Sequence, residues 1–383
     1  MAQPGPLSGI TIVDLSRILA GPYCTLLLAE LGARVIKVEA PKTGDDARHY
    51  GPFTNGKSTY FASVNRGKES IALDLKAPGD REIFERLLDK ADAVVENFRP
   101  GTMERLGYGW ETLHPRYPRL IYAAASGFGH SGPFSHYPSY DMVVQGLGGI
   151  MSITGHPGEP SPRIGTSVGD LAGGLYTTIA LNAALLHRER TGEATKVDVA
   201  LFDCQLALLE NAIMRYTTSG EIPGPLGARH PSITPFEAFK AKDGDIIIAA
   251  GNDGLWIKLT EALGHPELAQ RAEYKTNPLR NQNQQRLKAE IDAILSTDTR
   301  DHWIKVLEDA GLPCGPVNNV AQAIAHPQVE ARNMLIDVDD PVTGALRLVG
   351  NPMKLSAFED PKTRSPAPDL DADRAKILRE LGM

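Results

Sequence analysis

The first forty residues restrict the fold most strongly. Ile10 to Leu15 is a short β-branched run, Tyr23 to Leu31 has helical patterning, and Val35 to Glu39 returns to β-branched residues. A strand, a helix and a second strand in such close succession form a βαβ unit, which requires a parallel sheet with helices on its faces. Strands are also expected at Ser70 to Leu73, Ala93 to Glu96 and Leu120 to Ala125, with a helix over Arg81 to Lys90. Asp170 then opens an apolar run that closes on Gly192, with Arg188 and Arg190 in its last turn, which gives a long helix with a defined stop. A strand over Lys196 to Leu201 and a helix over Cys204 to Tyr216 follow.

The stretch GEIPGPLGARHPSITP is dense in Gly and Pro and interrupts this pattern. The expected organisation is α/β: a large Rossmann-like domain with a parallel sheet begins at 1–219, and 220–235 is a linker and active-site loop. A smaller α+β domain occupies 236–325, with helices over Arg280 to Leu295 and His302 to Ala310. Residues 326–383 return to complete the large domain, with a hairpin around Thr343 and Gly344.

The chain of 383 residues is 42% hydrophobic and 23% charged, an ordinary globular balance, and its formal net charge of -7 offers no positive field to nucleic acid. Cys24, Cys204 and Cys314 lie far apart, outside any metal or redox spacing, and the ten histidines form no HxxxH or HExxH pair, so no metal is expected. The start MAQPGPLSGI has neither a basic segment nor an apolar run, and no later stretch has the length of a membrane span. A cytoplasmic protein with no membrane partner is expected.

Candidate chemistry begins at the first βα turn. It reads SRILAGPY, with one glycine where a dinucleotide fingerprint has three, which disfavours a nicotinamide or flavin enzyme and leaves Glu39 as a strand-end surface charge. Arg17, Arg66, Lys68 and Arg105 lie in or beside loops that follow strands, where they are either ligand-facing or solvated. Asp170 stands between Gly169 and a helix carrying Gly173 and Gly174. Such slim surroundings admit a bulky ligand, while a helix N-cap explains the residue type equally well.

Several segments taken together resemble the family III CoA-transferases, the group of formyl-CoA transferase and carnitine CoA-transferase. They are GITIVDLSRILAGPYCTLLLAELGARVIKVEAP, SVNRGKESIALDLK, VVENFRPGTMERLGYGW, SGFGHSGPFSHYPSYD, TSVGDLAGGLYTTIALNAALLHRERTG and LPCGPVNNV. The resemblance implies that Asp170, in the pair with Gly169, is the nucleophile that becomes acylated and then carries CoA. It implies that CoA thioesters are substrates and that no cofactor is tightly bound. It places CoA against Arg17, Ile18, Leu19 and Ala20, against Leu73, and against Asn97, Phe98, Arg105 and Leu106. Two chains threaded into an interlocked homodimer are also implied. Some members carry an arginine at the position of Ala40; here the nearest base is Lys42.

GDDARHYGP, GARHPSITP and PFEAFKAKDGDIIIAAGN look closer to the succinyl-CoA:glutarate CoA-transferases. That likeness points to short dicarboxylic acids such as succinate and glutarate, with Arg48, His230 and Ser232 available to a distal carboxylate. Asp170, with an ordinary carboxyl pKa of about 3.9, is expected to be ionised at neutral pH. Backbone N–H groups after Asp170, or in the loop Gly227 to Ser232, are candidates to hold an oxyanion. The alternative within the same fold is an α-methylacyl-CoA racemase, which carries histidine in the pair occupied here by Tyr140 and Asp141; transferases tend to have tyrosine there.

Overall fold

In the computed structural model, which describes residues 4–383, the opening runs become β1 (Thr11–Asp14), α1 (Ala20–Glu30) and β2 (Arg34–Glu39). There follow α2 (Thr59–Asn65), β3 (Glu69–Ala72), α3 (Pro78–Lys90), β4 (Ala93–Glu96), α4 (Thr102–Leu106), α5 (Trp110–Arg116) and β5 (Ile121–Ser126). The series continues through α6 (Asp141–Leu147), α7 (Val168–Thr191), β6 (Lys196–Ala200), α8 (Leu201–Leu208) and α9 (Glu210–Ser219). The six strands lie in the order β3-β2-β1-β4-β5-β6, and every neighbouring pair is parallel. This is the doubly wound order. The chain winds outward from β1 to one edge and then crosses to the other side, so the loops after β1 and β4 diverge and open a crevice beyond the strand ends.

Alternation along the strands explains why both faces are covered. Val13, Ile36, Val38, Ile71 and Val94 face Phe84, Leu87 and Leu88 of α3 and Ile377 of the C-terminal helix Arg374–Leu381. Ile12, Val35, Ala93, Val95, Ile121 and Ala123 face Cys24 and Leu28 of α1 and Leu181 and Leu185 of α7. The outer edge of β3 is closed by side chains rather than by a strand: the N–H groups of Ser70 and Ala72 donate to Asp373 at 2.9 Å and Asp371 at 2.7 Å. Capping an edge with carboxylates removes the donors that would recruit another strand.

The chain divides into two compact units, one of residues 1–152, 163–223 and 327–383, the other of 153–162 and 224–326. The second unit has a three-stranded antiparallel sheet of Phe236–Ala241, Gly244–Ala249 and Cys314–Pro316. Its core is built from residues such as Phe239, Ile246, Ile248, Trp256, Leu259 and Leu307. The Gly- and Pro-rich stretch 153–162 joins this unit, and the Gly227 N–H donates to the Gly155 carbonyl at 2.8 Å. No helix among the described residues is long and apolar enough to cross a membrane.

Four sequence expectations change. The helix expected over Cys204 to Tyr216 is two helices that break at Leu209, whose N–H is shared between the carbonyls of Gln205 and Leu206. The one expected over Arg280 to Leu295 breaks at Asn283, whose side chain donates to the Leu279 carbonyl and competes with the helical ladder. Glu39 is not a surface charge: it is buried and accepts from Arg48, Ser70 and the Asp45 N–H. Arg66 and Lys68 are neither ligand-facing nor solvated, being buried against Glu30 at 2.9 Å and Asp14 at 3.1 Å.

Removing one member of a buried ion pair leaves the other charge uncompensated, which typically costs about 3–5 kcal/mol. Lys68→Met takes the ammonium from Asp14 and from the oxygens of Thr25 and Asn65 that it meets at 2.7 and 2.8 Å. The urea midpoint of the large unit should fall accordingly, and adding Asp14→Asn should recover part of the loss. A single variant with the wild-type midpoint would contradict this account.

Candidate active site

The crevice beyond β1 and β4 is a cleft of about 210 Å³ whose lining includes Leu15, Arg17, Leu73, Lys76, Phe98 and Leu106. Four residues expected to meet CoA, Arg17, Leu73, Phe98 and Leu106, are therefore brought together. Phe98 and Arg17 stack, with the guanidinium 5.6 Å from the ring centroid, and Arg17 also pairs with Asp46 at 3.1 Å. Lys76, a second cation in the cleft, lies in the loop after β3, the kind of position that the crevice rule itself marks.

The remaining expected residues have a different place. Asn97 brackets the Arg17 backbone, accepting its N–H and donating to its carbonyl, both at 2.8 Å. Ile18 has a φ of 69°, which is unusual for a β-branched residue, and its N–H donates to Asp45 at 2.9 Å. Leu19 stands at the N-cap of α1 and Ala20 is the first helical residue. Arg105 is exposed and donates to Thr102 at 2.9 Å. Beneath the cleft, buried Glu96 accepts the Phe98 N–H at 2.6 Å and the Tyr122 hydroxyl at 3.0 Å. Burial raises its carboxyl to about 7 against the pull of these two donors.

Asp170 is the third residue of α7, and Ser167 occupies the N-cap. The capping explanation of Asp170 is thereby removed. Its surroundings also correct the expected ionisation: burial, and then the charge of Asp141, raise the carboxyl to about 7. Asp141, 7% exposed at the start of α6, accepts the Gly169 N–H at 2.8 Å and the Gln145 side-chain amide at 2.8 Å. A Cβ on Gly169 would lie 2.8 Å from Val144 Cγ2 and 3.0 Å from Asp141 Oδ1, so only glycine permits this contact. At Gly174 a Cβ would lie 2.7 Å from the Ala20 carbonyl oxygen. The glycines thus let α6 and α1 close on α7, and they tie the loop of Arg17 to the helix of Asp170.

Three phenols complete the surroundings. Burial raises the Tyr60 hydroxyl to about 12, with Asp170 the largest charge acting on it, and its ring lies 6.1 Å from that of Tyr50. Tyr140, directly before Asp141, is 69% exposed. Tyr60 and Asp141 carry no chemical signature in the sequence beyond, for Asp141, its place after Tyr140.

Arg48 is committed to the fold. Its guanidinium makes two bonds to Glu39 at 2.8 and 2.7 Å, a third to the Pro368 carbonyl, and sits 3.8 Å over the Phe61 ring. This occupation replaces the expected contact with a distal carboxylate. His230 and Ser232 belong to the second unit, where the His230 ring stacks on Phe236 and accepts the N–H groups of Ser232 and Ile233 at 3.2 and 3.1 Å. The N–H groups of Gly227, His230 and Ser232 are all spent within that unit, so this loop as folded presents none of the three as an oxyanion donor.

The family model described as CoA-transferase family III matches residues 7–374. The acetyl-CoA:oxalate CoA-transferase of Acetobacter aceti is 46% identical over 99% of this chain and 97% of its own. The succinyl-CoA:mesaconate CoA-transferase of Haloarcula hispanica is 40% identical over 99% and 97%, and the succinate–glutarate CoA-transferase of Agrobacterium fabrum 38% over 98% and 96%. The crystal structure of a CaiB/BaiF family protein from Brucella suis superposes with a TM-score of 0.87 at 40% identity, covering 99% of this chain and 100% of that one.

The raised Asp170 carboxyl has a consequence for stability that requires no substrate. The folded state holds this proton more tightly than the unfolded chain, so the stability it contributes is fully present below pH 3.8 and is lost as pH rises through about 7. The slope is at most about 1.4 kcal/mol per pH unit. Asp170→Asn should remove this decline, making the variant progressively more stable than wild type between pH 4 and 8. Parallel stability curves for the two proteins would show that the carboxyl titrates normally.

Proposed function

Because the chain belongs to CoA-transferase family III and is itself a CoA-transferase, we propose that Asp170 is its nucleophile and that it moves CoA between short dicarboxylic acids. The observation that carries the reading is a half-buried carboxyl in the first turn of α7, one turn inside the Ser167 N-cap, that is raised by burial and then by a second carboxylate, with no cation paired to it among the described residues. At a pKa of about 7 it is a stronger base than an ordinary carboxylate, yet still half ionised at neutral pH. Both properties favour attack on a thioester.

Attack of Asp170 on the donor thioester carbonyl forms a mixed anhydride and expels CoA thiolate. The thiolate attacks the aspartyl carbonyl, releasing the donor acid and leaving an aspartyl-CoA thioester. The acceptor carboxylate attacks that carbonyl, expelling thiolate and forming a second anhydride. The thiolate then attacks the acceptor carbonyl, and Asp170 leaves as carboxylate. One thioester replaces another, so the exchange is close to balanced. In this scheme the Arg17, Lys76 and Phe98 cleft holds the nucleotide half of CoA, the cations suiting its phosphates.

Oxalate, mesaconate and glutarate, named for the relatives above, are all dicarboxylic acids. With Arg48 occupied, the hydroxyls of Tyr50, Tyr60 and Tyr140 are the donors we assign to the second carboxylate. A panel of acceptors against succinyl-CoA and acetyl-CoA, with mass detection of new thioesters, tests this. Dicarboxylates should exceed acetate and hexanoate at least about tenfold in kcat/KM, and equal use would sink the substrate class. Asp170→Ala and Asp170→Ser should fold, bind CoA and transfer nothing, and hydroxylamine added to the acylated wild type should leave a hydroxamate on Asp170. Transfer by the serine variant, or label elsewhere, would refute the mechanism.

A homodimer is part of the proposal. Helices α6, α7 and α9 leave Met142, Leu147, Ile179, Leu186 and Met214 exposed, an apolar surface that a second copy of this chain would cover. Sedimentation at nanomolar concentration should give a dimer, and a monomer would end this part of the reading.

A further inference from the structure

The nucleophile's helix is held at its start by a bond that neither the cleft nor the proposed chemistry explains. Asp141 grips the Gly169 N–H through one oxygen and is itself gripped through the other by the Gln145 side-chain amide, both at 2.8 Å. Gln145 lies one turn after Asp141 on α6 and has no exposed surface. Both ends of its amide are used: Oε1 accepts the Ile164 N–H at 2.9 Å, and Nε2 also lies 3.4 Å from the Thr166 carbonyl. A buried amide that satisfies donor and acceptor with such partners fixes the geometry of all of them.

We propose that Gln145 is a positioning residue for the transfer reaction: it holds Asp141 against the Gly169 N–H and straps the segment 164–169, so that both the place and the charge environment of Asp170 depend on it. The inference rests on Asp170 being the nucleophile. The contrast with Gln205 shows why Gln145 has this role. Gln205 reaches the same glycine from α8, where a Cβ on Gly169 would lie 3.4 Å from its Nε2, and it is equally buried. Its amide makes no hydrogen bond among the described residues, so it fills space beside Gly169 without holding Asp141.

The charged and titratable groups acting around Asp170 are Asp141 from α6 and Tyr60 from α2. The charge of Asp141 adds to the effect of burial in raising the Asp170 carboxyl. Donation from Gln145 and Gly169 fixes the Asp141 carboxyl in place at the start of α7. Without Gln145 the Asp141 side chain is no longer held, so its charge acts less on Asp170, which loses its proton at lower pH while the strap that aims it loosens.

Gln145→Met keeps the side-chain volume and removes all three amide hydrogen bonds. The expected result is a kcat reduced at least about tenfold, a KM for acyl-CoA within about twofold of wild type, and an acid limb of the kcat/KM profile displaced to lower pH by about one unit. Asp141→Asn retains an acceptor for the Gly169 N–H and removes the charge, so it should displace the limb in the same direction even where Gln145→Met folds poorly. An unchanged limb in Asp141→Asn, or in Gln145→Met with kcat within about twofold of wild type, would overturn the proposal. Transfer retained in Asp170→Ser would instead overturn the nucleophile assignment on which it rests.

Discussion

Two lysines buried beneath the carboxyl ends of the central strands hold the architecture of the cleft. Lys37 of β2 has no exposed surface; it donates to the Ser16 carbonyl at 2.6 Å and pairs with Asp45 at 2.9 Å. Lys68 supports Asp14 from the far side, where Thr25 and Ser16 also donate. Burial works against each charge, and the partners decide the balance. Lys68 is lowered to about 8 despite Asp14, whereas Lys37, facing Asp14, Asp45 and Glu39, is raised above the ordinary lysine value. Asp14 lies well below the carboxylate range because the two lysines and the hydroxyls outweigh its burial.

A network of this kind is an expensive way to gain stability, since desolvation cancels much of the attraction. What it provides is a fixed backbone. Ile18 sits in a left-handed conformation that costs on the order of 1–3 kcal/mol. It stays there because Asp45 takes its N–H and Asn97 takes both polar groups of Arg17. Asp45 is in turn fixed by Lys37, and Glu39 by Arg48. The loop lining the cleft is therefore held before any ligand arrives, which lowers the ordering cost of binding.

Periodicity made the large unit legible. The β-branched runs that feed β1, β2, β3, β4 and β5 fall within a residue or so of the strands, and Gly192 ends α7 in a left-handed cap. Pairing was not legible in the same way. Nothing in a run of residues says that Glu39 will meet Arg48, or that Lys68 will cross 54 positions to reach Asp14. Charges beside strand ends therefore read as ligand contacts or solvated groups when they are structural. Asp170 was visible as a residue, through its glycines, but not in its electrostatic state, because the burial that raises it comes from packing and the charge that adds to it lies on a different helix. Its position as third residue rather than cap depends on a helix start only one turn earlier, which composition does not resolve.

The two carboxyls near neutrality in the large unit, Glu96 and Asp170, arrive there by different routes, and the difference assigns their roles. Glu96 is raised by burial against two donors, the Phe98 N–H and the Tyr122 hydroxyl, so its oxygens are already engaged in shaping the cleft wall. Such a group positions backbone. Asp170 is raised by burial together with a like charge, and the phenol of Tyr60 that feels its field is a donor rather than a counter-ion. Burial and then repulsion make this carboxylate more basic, the property on which its proposed role as nucleophile draws.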